Sequence, residues 1–489
     1  MAPSVTVDAL ANALVARFLR TNDHTETLNA FIREAGLAPD VGQASGDDTN
    51  NWTIQSLLEE KHTYDQSVNF ERYGEDSQGT GLWSEPAPSK PAVIQTPTSS
   101  NLLAASVEQW QKPCDDEGAG ASAQSYIISA GADKQVHVLE TAGSNAAVKS
   151  FSDLSSAPVL SFVSILQGRY ILLTNMSGQI LLQHGIELLD SRKDHGKYTV
   201  KVVAYEDKKD PLKWWIATAG WDETVLLYKL NIPDEANAHT LKIGEPVARI
   251  KLASNPESLL FVPHIDTNDL LLLVSRRDST YIHYYQVEET PEQTASHTSL
   301  RECQLLGTQN LAPHSNAWVA FSPAHMALSP HDPGLVAVAT STLPHMKVII
   351  VRLIFPSLSK PDKEDDSASA DPVTQASQAM DALALANRED AAILVQANTF
   401  ASQTAYSTPQ VAWRPDGSGV WVNGDDGVVR GIETKTGKVI ATLKGGHEPG
   451  CKVRTVWSGS VSVSRDGEMV REEWVISGGF DRRLVVWKV

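Results

Sequence analysis

The chain has 489 residues, 42% of them hydrophobic and 20% charged, an ordinary globular composition with ample length for a large core. Lys and Arg total 41 against 59 Asp and Glu, a formal net charge of −18. Such a surface argues against nucleic acid and against anionic membranes, both of which are held by clustered basic residues. The three cysteines, Cys114, Cys303 and Cys451, are odd in number and widely spaced, so no disulfide framework or paired zinc set is indicated, and cytoplasm or nucleus is expected. Met1-Ala2-Pro3-Ser4 lacks the features of a signal peptide, and the best membrane-span candidate, Leu335 to Phe355, is broken by Pro344, His345 and Lys347.

In chain order, residues 5–37 read as two helices. Val7, Leu10, Leu14 and Phe18 fall at helical spacing, with Val15 and Leu19 widening the stripe. Thr21-Asn22-Asp23 ends the first helix, and Asp23 with Glu26 has capping-box spacing for the second. Leu28, Phe31, Ile32 and Ala35 form its apolar face, and Gly36 is a stop signal. Two helices this short bury too little to be stable alone, which favours pairing with a second copy. Leu14-Val15-Ala16-Arg17-Phe18-Leu19, followed by Thr27, Phe31 and Glu34, resembles the LisH motif, with Asp23 and His24 where that family usually has Gly-Tyr. The resemblance implies homodimerisation through Leu14, Val15, Phe18, Leu19, Leu28, Phe31 and Ile32.

Residues 38–91 read as helix and flexible linker: polar sequence to about residue 50, a helix from Asn51 to Tyr73, then a Pro/Gly/Ser-rich connector from Gln78 to Pro97. Within that connector Ala92-Val93-Ile94-Gln95 is expected to form a strand. The last unit of the chain stops after three strands, and a closed ring needs a fourth to cover its open edge.

From residue 92 to 489 a hairpin unit recurs. Ile128-Ser129-Ala130-Gly131-Ala132-Asp133, Ala217-Thr218-Ala219-Gly220-Trp221-Asp222 and Ile476-Ser477-Gly478-Gly479-Phe480-Asp481 share one spacing, each followed by an apolar run. Seven units are expected, with inner strands at Leu102–Trp110, Val159–Ile165, near Tyr198, Leu259–Val262, Ala317–Phe321, Gln410–Trp413 and Val453–Val463. The segment 356–400 reads as a large insertion, polar and disordered over Lys360–Asp366 and partly helical over Thr374–Leu394, with a partner-binding helix one reading of it.

His447, Ser477, Asp481 and Trp487 are donors and acceptors that can pair in a buried chain, and His195, Thr218, Asp222 and Tyr228 repeat the set. A Ser/His/Asp composition suggests hydrolysis, but a catalytic triad is defined by geometry, and recurrence in register favours a structural staple. Gly446-His447 leading to Ser477, Asp481 and Trp487 resembles the WD-repeat pattern, with Trp487-Lys488 and Tyr228-Lys229 in place of the family's terminal Trp-Asp. The resemblance implies an all-β, seven-bladed propeller of the WD40 type.

Other constellations are weaker. His314, His325, His331 and His345 share no metal-ligand spacing, no phosphate-binding glycine pattern occurs, and neither metal nor cofactor is expected. Arg276-Arg277 and Arg482-Arg483 beside turns are candidate contacts for acidic partners. A LisH motif joined to a propeller is similar to dynein regulators, corepressor and splicing subunits and ubiquitin-ligase scaffolds. The resemblance implies a non-enzymatic, homodimeric scaffold for protein partners. The ligase-receptor alternative is weakened because the only Trp-Asp pair, Trp221-Asp222, continues as Glu223-Thr224 rather than toward an arginine.

Overall fold

A computed structural model describes residues 7–43, 53–58, 83–111, 124–288, 300–314, 321–357, 375–465 and 468–489. The chain divides into two units, an N-terminal helical unit and a large β unit.

In the helical unit, α1 spans Val7–Thr21 and α2 spans Thr25–Glu34. Asp23 adopts φ +57, the left-handed conformation that Asp tolerates and that Gly would supply most freely. This accounts for Asp at a LisH position usually held by Gly. It also removes the expected capping box: the N-cap of α2 is His24, with no side-chain cap. Gly36 does end α2, at φ +61, with the Leu37 amide donating to the Ile32 carbonyl at 3.0 Å. The stretch after α2 is not a free linker at its start. The Arg20 guanidinium donates to the carbonyls of Pro39 (3.0 Å) and Val41 (3.1 Å), which holds residues 38–43 against α1. Of the helix expected over 51–73, only 53–58 lie within the described residues; Ile54–Leu58 are helical, opened by Thr53 and Ser56 exchanging backbone–side-chain hydrogen bonds.

The β unit contains seven sheets among the described residues. The first segment, β1 (Lys90–Ile94), belongs to the last sheet. Blade one is β2 (Leu102–Trp110), β3 (Gln124–Gly131), β4 (Val136–Glu140) and β5 (Ala147–Phe151). Blade two is β6 (Val159–Ile165), β7 (Tyr170–Asn175), β8 (Gln179–His184) and β9 (Glu187–Lys193). Blade three is β10 (Thr199–Glu206), β11 (Lys213–Gly220), β12 (Thr224–Asn231) and β13 (Ala248–Lys251). Blade four is β14 (Pro256–Pro263), β15 (Leu270–Arg276), β16 (Tyr281–Gln286) and β18 (Leu305–Asn310); the short β17 (Arg301–Glu302) runs parallel to β13. Blade five is β19 (Pro323–Leu328), β20 (Leu335–Thr340), β21 (His345–Arg352) and β22 (Ile393–Ser402). Blade six is β23 (Val411–Trp413), β24 (Gly419–Val422), β25 (Val429–Glu433) and β26 (Val439–Leu443). Blade seven is β27 (Val453–Arg465), β28 (Glu468–Gly479) and β29 (Leu484–Lys488), completed by β1.

The inner strands β2, β6, β10, β14, β19, β23 and β27 each touch the next, and β27 touches β2, so the ring is closed. The core is correspondingly divided. Seven apolar clusters fill the gaps between adjacent blades, for example Ile128, Val138 and Phe151 against Ile171 and Leu181, and Ala337, Val348 and Ile350 against Trp413, Val420 and Ile432. Central strands bury both faces because each sheet is sandwiched between two others, so β7 and β24 read as unbroken apolar runs.

Two boundaries differ from the sequence reading. The inner strand of blade five is Pro323–Leu328; of the strand expected at Ala317–Phe321, residues 317–320 lie outside the described residues. Trp318, Val319 and Phe321 offered the denser apolar run, but the alternation Ala324, Met326, Leu328 is what a half-buried strand requires. The 356–400 segment also ends early: α3 (Gln375–Ala392) passes directly into β22, which pairs with β21 as the outer strand of blade five. Lys360–Asp366, expected to be disordered, lies outside the described residues.

The largest difference lies in the connector. The strand expected at Ala92–Gln95 forms, antiparallel to β29 with Ala92 opposite Val486 and Ile94 opposite Leu484. Upstream of it, residues expected to be flexible are anchored on blade six. The Trp83 indole stacks edge-on to Trp421 at 5.1 Å and lies under the Arg414 guanidinium at 4.2 Å. Its amide donates to Glu433 at 2.6 Å, and Ser84 is bound by Asp416 and, through its carbonyl, by Arg414 at 2.9 Å. Gly431 makes the room: a Cβ there would stand 2.3 Å from the Trp83 ring. Arg414, only 1% exposed at its side chain, also pairs with Glu473 of β28 at 2.7 Å. One guanidinium therefore joins blade six, blade seven and the strap. Trp83→Ala should lower unfolding free energy by about 2–4 kcal/mol in urea titrations, since it removes a large packed ring and a cation–π contact. Gly431→Ala should release residues 83–89 to limited proteolysis.

Candidate functional site

The histidine sets were the site residues proposed from sequence, and the structure assembles the one on blade seven. His447 Nδ1 lies 3.1 Å from both Asp481 carboxylate oxygens, and its Nε2 lies 2.8 Å from Ser477 Oγ. The Trp487 indole N–H donates to Ser477 Oγ at 2.9 Å. A carboxylate only accepts, so Nδ1 donates to Asp481. The Glu448 and Arg483 amides donate to the same carboxylate at 3.0 and 3.3 Å. Burial alone would raise the Asp481 carboxyl, but the hydrogen bonds from His447 and from these amides outweigh it and hold it down at about 2. Local backbone explains the spacing. A Cβ at Gly479 would stand 2.5 Å from Asp481 Oδ1, and one at Gly446 would stand 2.7 Å from the Trp487 ring. Ser477 and Trp487 are both 0% exposed, so the hydroxyl has no path to a substrate.

Blade three repeats the arrangement. His195 Nδ1 lies 3.0 Å from Asp222 Oδ1, its Nε2 lies 2.9 Å from Thr218 Oγ1, and the Gly196 amide donates to Asp222 at 2.8 Å. The same balance of burial against the His195 ring holds the Asp222 carboxyl well below the ordinary range. The fourth member, Tyr228, is hydrogen-bonded to the Thr218 side chain as expected, and its phenol also donates to Asp194 at 3.0 Å. Asp194 is in turn held by Arg192 at 2.9 Å. Blade one keeps the turn and replaces the histidine. Lys134, Glu223 and Arg482, each directly after the Asp, all adopt φ between 64 and 69. In blade one, however, the preceding loop supplies Thr98 and Ser100 to Asp133. His137 sits on β4 instead, between Thr98 Oγ1 and Ser150 Oγ, 2.8 Å from each. Ser129 Oγ is left buried without a partner.

Among the described residues the metal-capable grouping is His447, Cys451 and Asp481; it contains none of His314, His325, His331 and His345. Its atoms are already committed. Both His447 ring nitrogens are hydrogen-bonded, the Asp481 amide donates to Cys451 Sγ at 3.1 Å, and burial with the Asp481 charge pushes the Cys451 thiol up to about 11. A metal would need the thiolate. Three of the four paired arginines have partners within the chain. Arg277 binds Glu257 at 2.6 Å and covers Trp221, Arg276 binds Ser254, and Arg483 binds the Gly446 carbonyl and Glu448.

In the helical unit, only Ala16 and Leu28 are fully buried among the described side chains of the two helices. Leu14, Phe18, Leu19, Phe31 and Ile32 are half-buried, and Val15 is 37% exposed. Sequence reasoning missed the axial cavity, whose charged lining includes Glu108, Lys201, Glu257 and Arg454, together with His325. Glu257 and Arg454 occupy the bulge near the start of β14 and β27, where the strand register shifts. That recurrent position was the available signal.

Helices of this form ahead of a closed seven-bladed ring define a LisH-bearing β-propeller protein. The profile described as the UCP007778 β-propeller domain matches residues 119–488, and that described as the UCP007778 LisH domain matches residues 10–38. The chain belongs to the UCP007778 family. No curated protein matched the chain. The propeller match begins after β1 and β2, both of which the structure places in the ring.

Asp481→Ala should cost about 2–4 kcal/mol in chemical unfolding, since it strips a buried histidine of its charge-assisted partner. Trp487→Phe should cost less, about 1–2 kcal/mol, having lost chiefly one hydrogen bond. The pH dependence follows the depressed carboxyl: it titrates at about 2 folded against 3.8 ordinarily, so its contribution is complete above about pH 4 and lost as pH falls toward 2. Asp481→Ala should flatten that part of the stability profile.

Proposed function

We propose that this protein is a self-associating interaction scaffold, in which α1 and α2 pair with a second copy and the propeller presents a rigid surface to protein partners within a larger complex. The observation that carries the reading is the exposure pattern of the helical pair. Phe18, Leu19, Phe31 and Ile32 form one apolar stripe, yet none is fully buried within the chain. Covering such side chains contributes roughly 1.5–3 kcal/mol each when burial goes from full exposure to complete. Covering what remains exposed on both copies favours pairing, and α2, ten residues long, is too short to be stable as an isolated helix. The loop at 38–43 is held to α1 through Arg20.

The staples fit the same reading, as fixtures that keep each blade's turn in place. Two linked propellers would bind a repeated or dimeric partner with avidity that neither ring has alone. Multi-angle light scattering of the full chain should give twice the chain mass at micromolar concentration, and Phe31→Asp should give one chain mass while leaving propeller unfolding unchanged. A wild-type monomer, or a Phe31→Asp dimer, would overturn the reading. Affinity purification of wild type beside the Phe31→Asp variant should retain the same partners with weaker capture.

A further inference from the structure

The axial cavity contains two cations, Lys201 and Arg454, with no contact ion pair among the described residues. The cavity holds about 700 Å³ and is lined by the inner strands of the ring. Its two carboxylates are served from elsewhere. Glu108 accepts from Ser106 Oγ at 2.8 Å and from Ser164 Oγ at 2.6 Å, and Glu257 accepts from Arg277 at 2.6 Å. Glu108 acts on the Lys201 ammonium and Glu257 on the Arg454 guanidinium through charge, with no hydrogen bond or contact ion pair between them among the described residues. Arg454 Nη1 and Ser458 Oγ are buried polar atoms without a partner, and both residues line the same cavity. A buried donor left unmade costs about 1–3 kcal/mol, more when charged, so these two atoms, with the Lys201 ammonium lining the same cavity, favour an acceptor there.

We propose that Lys201, Arg454 and Ser458 form a phosphate-binding site in the axial channel, for inorganic phosphate or the phosphate group of a small phosphomonoester. The donor set is of the right chemistry: an ammonium with three protons, a planar guanidinium and a hydroxyl line one cavity. The cavity size is that of a small-molecule site. The electrostatics agree. Burial lowers the Lys201 ammonium, with Glu108 countering and Arg454 adding to the fall; burial lowers Arg454 to about 10. An anion between the two cations relieves both effects. Burial, with Lys201 second, brings His325 down to about 3, so the imidazole beside them is neutral and does not hold the anion as a cation.

The test is isothermal titration calorimetry of the full chain with inorganic phosphate and with glycerol 2-phosphate, at ionic strength fixed by sodium chloride. Saturable binding is expected, weakened at least tenfold by Lys201→Met or by Arg454→Met and unchanged by Arg301→Gln on the outer strand. Equal affinity of wild type and both channel variants would overturn the proposal, as would no saturable binding to wild type. A stability readout covers variants that fail to fold. Phosphate should raise the wild-type melting temperature beyond sodium chloride of equal ionic strength, and the absence of that rise overturns the site. Binding of an aspartate-rich peptide with neither phosphate source bound would also overturn it.

Discussion

A ring of sheets has one seam, and everything in this β unit depends on how that seam is closed. Strands β27, β28 and β29 end the chain with an unpaired edge, whose exposed N–H and C=O groups would be an aggregation hazard. The ring takes its missing strand from residues 90–94, far back in the sequence, and the two ends of the domain are thereby zipped together. The pairing would be weak if the chain before it were slack. It is not slack: Trp83 and Ser84 are fastened to blade six by Trp421, Glu433, Asp416 and Arg414, and Arg414 is itself bound to Glu473 on blade seven. The strap thus bridges the two blades beside the seam before it supplies the closing strand.

The histidine staples act at a smaller scale. Each ties a loop to the turn of its own blade, so a tight hairpin is held by a histidine from outside it. The burial of Ser477 and Thr218, both 0% exposed, suits a hydrogen-bonded fixture and leaves no approach for a substrate. The axial channel is different in kind. Its charged groups are enclosed by the ring yet only partly paired, the pattern expected where a ligand completes the set.

Much of this was legible in the sequence, for reasons that differ by feature. The hairpin repeat was visible because Gly479, Gly220 and their neighbours are required by close approach of the aspartate two residues on. The closing strand was legible because a three-stranded last unit demands a fourth. The Trp83 anchor was not, since a single tryptophan in a Pro/Ser-rich stretch carries no periodicity, and the matching clue, Gly419 and Gly431 making room for its ring, lies over three hundred residues away. The blade-five strand was misplaced because Trp318 to Phe321 is locally more apolar than the true strand. Blade one has Thr98 and Ser100 on its aspartate in place of a histidine, because the carboxylate accepts from any donor that reaches it, and Tyr228 adds a bond to Asp194. Arg454 was hidden by the bulge at the start of β27.

Together these features describe a rigid disc closed by a strap from its own N-terminal side, in a chain that also carries a LisH helical pair. The strap makes the integrity of the disc depend on sequence lying between the two. The most direct measurement is hydrogen–deuterium exchange of the full chain, comparing a peptide covering residues 89–95 with one covering β29. Closure by β1 predicts that both peptides exchange slowly and lose protection together when Trp83 is replaced by alanine. Rapid exchange across 89–95 in the wild-type protein, with β29 still protected, would contradict it.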